Sequence, residues 1–375
     1  MRALIAVGHG GIYSGGSHQA LNALRGLKQA GVEVMAVWGP DAEGDKGGFK
    51  RLEELGIPYR IIPIHQRSTW RTLKAFRQVV QEFDPDVVEC VKSGAQYHAL
   101  FGGLGLNKLA LVFYRGVTQP MDWFQGFKYR MRRVDRVIAN CEMLKRQMAA
   151  TGHIPIDKIE VIYGEYDPAC AEPNQVNING LREELNIADN ELIILQLGNW
   201  SPWRGQHITL QAASQLKARV FSFHLIFAGR ETDKLADAVT EWGLRDRVTL
   251  LPYRRDPERL LKLADIVVNS STGIESLSGA ILNAQAMGVP VAASNVGGSA
   301  EIVIHNQTGL IVPPQDPKAL AEALEKLLTM LPAELAAMGV KARKRARTIF
   351  SPEIRAQKRM ECYRKAIKCR MKNEE

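Results

Sequence analysis

The sequence predicts an α/β protein built from two doubly wound parallel sheets, and three observations carry that expectation. Short β-branched and aliphatic runs recur along the 375 residues and alternate with helical stretches, the rhythm of strands joined by crossover helices of about ten or more residues. Some runs, such as Val87-Val88 and residues 193–197, are apolar almost throughout instead of alternating, as strands covered on both faces should be. The rhythm breaks over residues 164–179, where Gly164, Pro168, Pro173 and three asparagines show no period, so the chain is expected to divide there.

In chain order, the first series of strands is expected at 3–7, 32–37, 59–62, 86–91, 109–114, 136–139 and 158–162. The second is expected at 192–198, 223–228, 248–250, 266–269, 289–293 and 309–312. These assignments give an N-terminal Rossmann-like domain over 1–167, a linker over 168–179, a C-terminal Rossmann-like domain over 180–349 and a basic helix over 350–375. Ser351 as cap with Pro352 at the first helical position marks the start of that last helix. No repeat of solenoid length is present.

With 46% hydrophobic and 24% charged residues the chain is neither disordered nor fibrous. Its net charge of +9 is confined: residues 341–375 hold 13 Lys and Arg against 4 Asp and Glu, which equals the whole excess. Residues 1–168 hold 22 basic and 17 acidic residues, and residues 169–340 hold 14 and 19. A neutral body without a recognition motif argues against nucleic acid as a partner. The five cysteines form no Cys-x-x-Cys pair, so reduced thiols are expected, without a disulfide framework or zinc site. No apolar run approaches the roughly 18 residues of a membrane helix. Residues 1–8 lead straight into a glycine loop, not a signal-peptide core, so a cytoplasmic location is expected. Residues 123–136 mix aromatic and basic side chains, a composition that serves either an anionic membrane surface or plain solvent.

The first loop, Gly8-His9-Gly10-Gly11-Ile12-Tyr13-Ser14-Gly15-Gly16, follows a strand and precedes a helix. Such a loop either cradles an anion at the helix start or simply turns. Tyr13 stands where a dinucleotide fingerprint needs its third glycine, and no Gly-Lys-Ser/Thr makes a P-loop. His9 is kept as a candidate contact, whereas His98 lies in a helical stretch and reads as structural. Asp84-Pro85-Asp86 precedes a strand, at the wrong end of the sheet for a ligand, and reads as a proline turn instead of a metal site.

The most informative stretch is 264–317: a strand from Ile266, Glu275 in the following loop, Ser278-Gly279-Ala280 at a helix start near Ser276, then Asn283, Gly288-Val289-Pro290, a strand, and Gly297-Gly298. The free N–H groups and positive dipole end of that helix would face a ligand at the strand ends.

On these residues the sequence resembles the family-4 retaining glycosyltransferases of the GT-B fold, most nearly bacterial enzymes of cell-surface glycan and lipopolysaccharide-core synthesis. The resemblance implies two Rossmann-like domains facing across a cleft, with the last helix crossing back to the N-terminal domain. It implies a nucleotide-diphosphate-sugar as substrate, no metal or other cofactor, and a glycan or lipid-linked acceptor. Matched by position, Glu275 is the first Glu of the E-x7-E element and contacts the donor sugar, and Asn283 stands where the second Glu meets the ribose. Ser278, Gly279 and Ala280 bring helix-start amides to the diphosphate. Gly198, Asn199 and Arg204 belong to a strand-end loop whose two cations grip the diphosphate, with Asn199 replacing one of them. Arg230 and Tyr253 fall at nucleotide contacts, and Gly15 and Gly16 at the N-terminal loop beside the donor. Arg115 replaces a usual His and is assigned to phosphate or acceptor charge. Replacing the ribose carboxylate by Asn283 is expected to cost on the order of 1–3 kcal/mol, about tenfold or more in affinity. Two other readings share the fold: a non-catalytic nucleotide-sugar-binding protein and a sugar-nucleotide epimerase. A crossing C-terminal helix would set the +9 segment beside the basic N-terminal domain as one cationic face, suited to an anionic acceptor or membrane.

Overall fold

A computed structural model describes residues 1–10, 15–40, 47–218 and 222–372. The chain forms two units, one of residues Met1–Glu165 together with the helix Pro352–Lys372, the other Tyr166–Ser351.

The first unit holds β1 (Arg2–Gly10), β2 (Glu33–Gly39), β3 (Tyr59–Ile61), β4 (Val87–Val91), β5 (Ala110–Arg115), β6 (Arg136–Ala139) and β7 (Ile159–Val161) in one parallel sheet, ordered β3-β2-β1-β4-β5-β6-β7. The second holds β8 (Leu192–Leu197), β9 (Phe223–Ala228), β10 (Val248–Leu251), β11 (Ile266–Asn269), β12 (Val291–Ser294) and β13 (Gly309–Val312), also parallel and ordered β10-β9-β8-β11-β12-β13. Every strand lies on an aliphatic run that predicts it. The largest difference is β1, which continues to Gly10.

Strand order reverses between β1 and β4 in one unit and between β8 and β11 in the other. In doubly wound sheets the crevice for ligands opens at the carboxyl ends of strands beside such a reversal. The sequence therefore supplies two such edges, one where β1 and β4 end at Gly10 and Val91 and one where β8 and β11 end at Leu197 and Asn269.

Strands β1 and β4 are buried because helices cover both faces of their sheet. Leu24 and Leu27 of the helix Gly15–Gln29 join Ala3, Ile5 and Trp38 in a core completed by Cys362, Tyr363 and Ala366 of the C-terminal helix. Each large side chain so buried contributes roughly 1.5–3 kcal/mol. The C-terminal helix is also held by charge. Glu89, in the middle of apolar β4, accepts from Arg359 Nε at 2.8 Å and Nη2 at 3.1 Å, and from the Tyr363 hydroxyl at 2.7 Å. All three side chains are buried. Arg355 pairs with Glu165 at 3.2 Å. Arg370 pairs with Asp135 at 2.9 Å, and Asp135 also accepts the Leu111 N–H at 2.8 Å. Burial raises the Asp135 carboxyl above its ordinary range.

These pairs narrow the expectation of a +9 segment offering one cationic face: Lys358, Arg364, Lys365, Lys368 and Lys372 stay exposed, but three arginines of the last helix do not. Arg355, Arg359 and Arg370 are neutralised inside the first unit. In the second unit, Arg343 and Arg347 donate to the Ala171 carbonyl and Arg345 to those of Glu301 and Ile302. Residues 373–375 lie outside the described residues. The segment 168–179 is part of the second unit, with short 3-10 turns at Pro168–Cys170 and Pro173–Gln175 and with Cys170 and Pro173 buried. Arg347 also pairs with Glu172 at 2.7 Å.

Candidate functional site

In the second unit the ends of β8 and β11 are tied together by buried polar groups that sequence reasoning passes over. Gln196 Nε2 donates to the Arg204 carbonyl and to Ser270 Oγ, both at 3.1 Å. The Thr209 hydroxyl donates to Ser270 Oγ at 2.8 Å, and that hydroxyl donates to the Gly205 carbonyl at 2.7 Å. The Thr272 N–H adds a bond to the Trp203 carbonyl at 2.8 Å. The available signal was a glutamine inside an apolar strand and a run of small polar residues at the next strand's end. Gly205 has φ +68°, and a Cβ there would overlap the Ser270 carbonyl oxygen. Only glycine permits this approach, and it fixes where Arg204 leaves the backbone.

From that loop Arg204 reaches Glu275, with Nη1 2.5 Å from Oε2. The Ser271 hydroxyl donates to the same oxygen at 3.2 Å. The group expected on the diphosphate and the group expected on the sugar are thus paired with each other. The loop carrying Glu275 is pressed against Gly297, which has φ +61° and whose Cβ would overlap the Glu275 carbonyl oxygen. The Gly298 N–H donates to the Ser276 carbonyl at 2.6 Å. Ile274, immediately before Glu275, is exposed at φ +54°, a left-handed conformation strained for a β-branched residue.

The helix expected near Ser276 begins at Gly279 and runs to Met287, because Ser278 caps it. The Ser278 hydroxyl accepts from the Asn269 amide at 2.9 Å, which joins the cap to the end of β11. Gly279 and Ala280 occupy the first two helical positions, where backbone N–H groups have no acceptor within the helix. A Cβ on Gly279 would meet only open space. This start lies beside the loop of Glu275, so a guanidinium, a carboxylate and a helix N-terminus share one strand-end crevice.

Asn283 stands one turn along, but its carbonyl oxygen accepts the Asp167 N–H at 2.8 Å. That bond engages the oxygen assigned to the ribose, and it joins positions too distant in sequence to foresee. Asn199 behaves similarly: its side-chain oxygen accepts the Arg230 N–H at 3.0 Å and its carbonyl accepts from Gln206 at 3.2 Å. Gly229 allows this close approach, since a Cβ there would overlap the Gly198 carbonyl. Arg230 lies 5.7 Å from the exposed Tyr253 ring, so these two expected contacts share the ends of β9 and β10.

In the first unit Gly15 and Gly16 open the helix Gly15–Gln29, while residues 11–14 of the same glycine loop lie outside the described residues. Arg115 ends β5, and its Nη2 donates to the Gln119 carbonyl at 2.5 Å. His9 is neutral near pH 7: burial, with the charge of Lys92, lowers it to about 4. His98 is structural, bonded to the Gly94 carbonyl at 2.8 Å and to Thr72 Oγ1 at 2.9 Å. Asp84 ends the helix Trp70–Phe83 in a left-handed conformation, and Asp86 accepts the Arg2 N–H at 2.7 Å. Asp84 closes the turn through its backbone and Asp86 through its carboxylate.

Comparison with known proteins bears on the two domains and on the fold. Residues 13–169 match the model of Glycosyltransferase Family 4, and residues 177–345 that of Glycosyl transferases group 1. A D-inositol 3-phosphate glycosyltransferase of Nocardia farcinica is 30% identical over 237 residues, 60% of this chain and 52% of that protein. The chain spans about half the length of the curated relatives it matches. Among solved structures, a glycosyltransferase from Rickettsia africae superposes with a TM-score of 0.86 at 20% identity, over 98% of this chain and 99% of that one. Anabaena HepE in complex with UDP superposes at 0.83 and 22% identity, over 96% and 99%. The fold is that of the GT-B glycosyltransferases.

Proposed function

The chain is built from a Family 4 glycosyltransferase domain and a group 1 glycosyl transferase domain, and from that premise we propose that it moves a sugar from a nucleoside-diphosphate donor to a hydroxyl of a glycan or lipid-linked anionic acceptor, with retention of configuration. The observation that carries this reading is the meeting of Arg204, Glu275 and the helix start at Gly279 beside the β8–β11 reversal.

The anomeric carbon–oxygen bond of the donor breaks, the diphosphate leaves, and the acceptor oxygen bonds to carbon on the face just vacated. The acceptor proton passes to the departing phosphate oxygen, so no protein nucleophile takes part. Arg204 and the amides of Gly279 and Ala280 stabilise the charge that grows on the leaving group, and this reading needs no metal. A planar guanidinium holds phosphate oxygens bidentately. Glu275 accepts from sugar hydroxyls, Tyr253 and Arg230 border the base, and Arg115 serves acceptor charge.

Membrane contact is assigned to the helix Trp123–Arg130. Trp123, Phe124 and Phe127 are exposed there, Phe124 to 80%, and the Arg130 guanidinium lies 4.3 Å from the Trp123 ring. Aromatic rings beside cations suit the headgroup layer of an anionic bilayer. Among the described residues no helix is long and apolar enough to cross a membrane. The reading places the protein at the inner face of the cell membrane, in cell-envelope or lipopolysaccharide glycan synthesis.

Thermal stabilisation by UDP, GDP, ADP and their sugars identifies the donor, since a ligand of the folded state raises stability by mass action. UDP is the first choice because it occupies a structural neighbour. Radiolabelled donor with a crude glycolipid acceptor then tests transfer, and proton coupling at the new linkage tests retention. Binding without transfer would leave a binding protein, and an altered free donor would indicate an epimerase. Transfer that survives EDTA is expected.

A further inference from the structure

The reversal in the first unit has its own cluster, which the donor site does not use. Three neighbouring strands, β1, β4 and β5, end here at Gly10, Val91 and Arg115. Lys92 follows β4 with φ +70° and ψ 159°, a region populated almost only by glycine. It leads into the helix Ser93–Gly102, whose first turn has no side-chain cap. Lys128 comes in from the helix Trp123–Arg130 and donates to Ser93 Oγ at 2.7 Å, with its ammonium 4.9 Å from the Tyr97 ring.

Among the described residues, Lys92, Arg115 and Lys128 form no ion pair with any carboxylate; Arg115 bonds only a carbonyl, and its buried Nε has no partner. Arg115 and Lys128 act on one another instead. Burial and the neighbouring Arg115 hold Lys128 down to about 8, and burial lowers Lys92. Elsewhere in this unit the buried arginines each meet a carboxylate: Arg355 meets Glu165, Arg359 meets Glu89, and Arg370 meets Asp135. Uncompensated cations, a strained lysine and an uncapped helix start at the strand reversal together describe an anion cradle.

We infer that Lys92, Arg115, Lys128 and the helix start at Ser93 bind a phosphate group, and that on the transferase reading this phosphate belongs to the acceptor. The ligand class is a phosphate ester whose free hydroxyl receives the sugar. Soluble sugar or polyol phosphates and lipid headgroups both present that chemistry.

The test uses the full chain with inorganic phosphate as the probe, read as stabilisation against chloride at equal ionic strength. Two variants separate charge from folding. Lys92→Gly is native to the φ and ψ of that position and removes the ammonium without adding strain. Lys128→Gln keeps most of the side chain. Each is expected to weaken phosphate at least fivefold while UDP affinity stays within twofold of the parent. The inference is overturned if phosphate affinity is unchanged in both, if UDP affinity falls by as much, or if Arg204→Ala removes the whole phosphate response. Competition identifies the source: displacement by glycerol 3-phosphate points to a soluble ester, and displacement only by phosphatidylglycerol vesicles, not by phosphatidylcholine vesicles, points to a headgroup. If neither competes, the acceptor assignment falls. Phosphate binding in a chain that binds no nucleotide would instead leave the cradle standing and overturn the transferase reading.

Discussion

Arg204 and Glu275 form an ion pair 71 residues apart in sequence and 2.5 Å apart in space, with side chains 36% and 12% exposed. On the proposed function, a diphosphate would compete with this carboxylate for the guanidinium, and Glu275 would turn to the sugar once displaced. Glu275→Gln should tighten free UDP severalfold, because a neutral amide competes poorly. The same variant should slow transfer about a hundredfold or more, about 2.7 kcal/mol of transition-state stabilisation. Calorimetry with UDP and single-turnover kinetics would show this opposite pair of effects. A parallel fall in both would mean that Glu275 does not compete for Arg204.

Gly205→Ala places a Cβ against the Ser270 carbonyl in a left-handed conformation. A stability loss of about 1–3 kcal/mol and at least a tenfold loss of nucleotide affinity are expected. Gly273→Ala is the control: its Cβ meets nothing within 4 Å, so both quantities should stay near the parent's. Urea unfolding and UDP titration provide the two readouts.

Glu89→Leu leaves Arg359 buried without its carboxylate. Removing one partner of a buried pair costs about 3–5 kcal/mol. Adding Arg359→Met to Glu89→Leu should recover much of that loss, because no charge then remains without a partner. Equilibrium unfolding of the two single variants and the double variant measures the coupling.

The ammonium of Lys128 faces Ser93, Arg115 and the Tyr97 and Tyr129 rings. It is complete below about 8 and lost as pH rises through that value, so phosphate affinity should fall above pH 8. Lys128→Gln should flatten the profile. His9, lowered to about 4, should add no step near neutrality. Folding linkage has the opposite sign. Between about 8 and the ordinary 10.5 the unfolded chain holds the extra proton, so this lysine makes stability rise with pH there. Phosphate titrations from pH 6 to 10 test the binding arm.

The strands were legible because each is a short aliphatic run between turn residues, and their number and order of appearance follow directly. The crevice at the end of β11 was legible for a similar reason: Glu275, Ser278 and Gly279 are close in sequence, and a capped helix start needs only local chemistry. What the sequence concealed depends on distance along the chain. Asn283 looked like a weakened ribose contact, yet its oxygen holds the Asp167 amide. The basic C-terminal run looked like a cationic surface, yet Arg359 meets Glu89, 270 residues earlier. A lone glutamate inside the apolar run of β4 was the one available hint, since such a residue is rarely buried without a partner. Lys128 and Arg115 likewise read as separate basic residues until the fold brings them together.

The C-terminal helix also sets the order in which the protein can mature. All of Tyr166–Ser351 is synthesised before Pro352–Lys372, so most of the second unit leaves the ribosome while the first still lacks its last helix. During that interval Glu89 has no guanidinium, and the core around Ala3 and Ile5 lacks Tyr363. Domains usually fold as they emerge, N-terminal first; here the domain begun first is finished last. A chain truncated and released before residue 352 would carry a complete second unit and a first unit still open to chaperones and proteases.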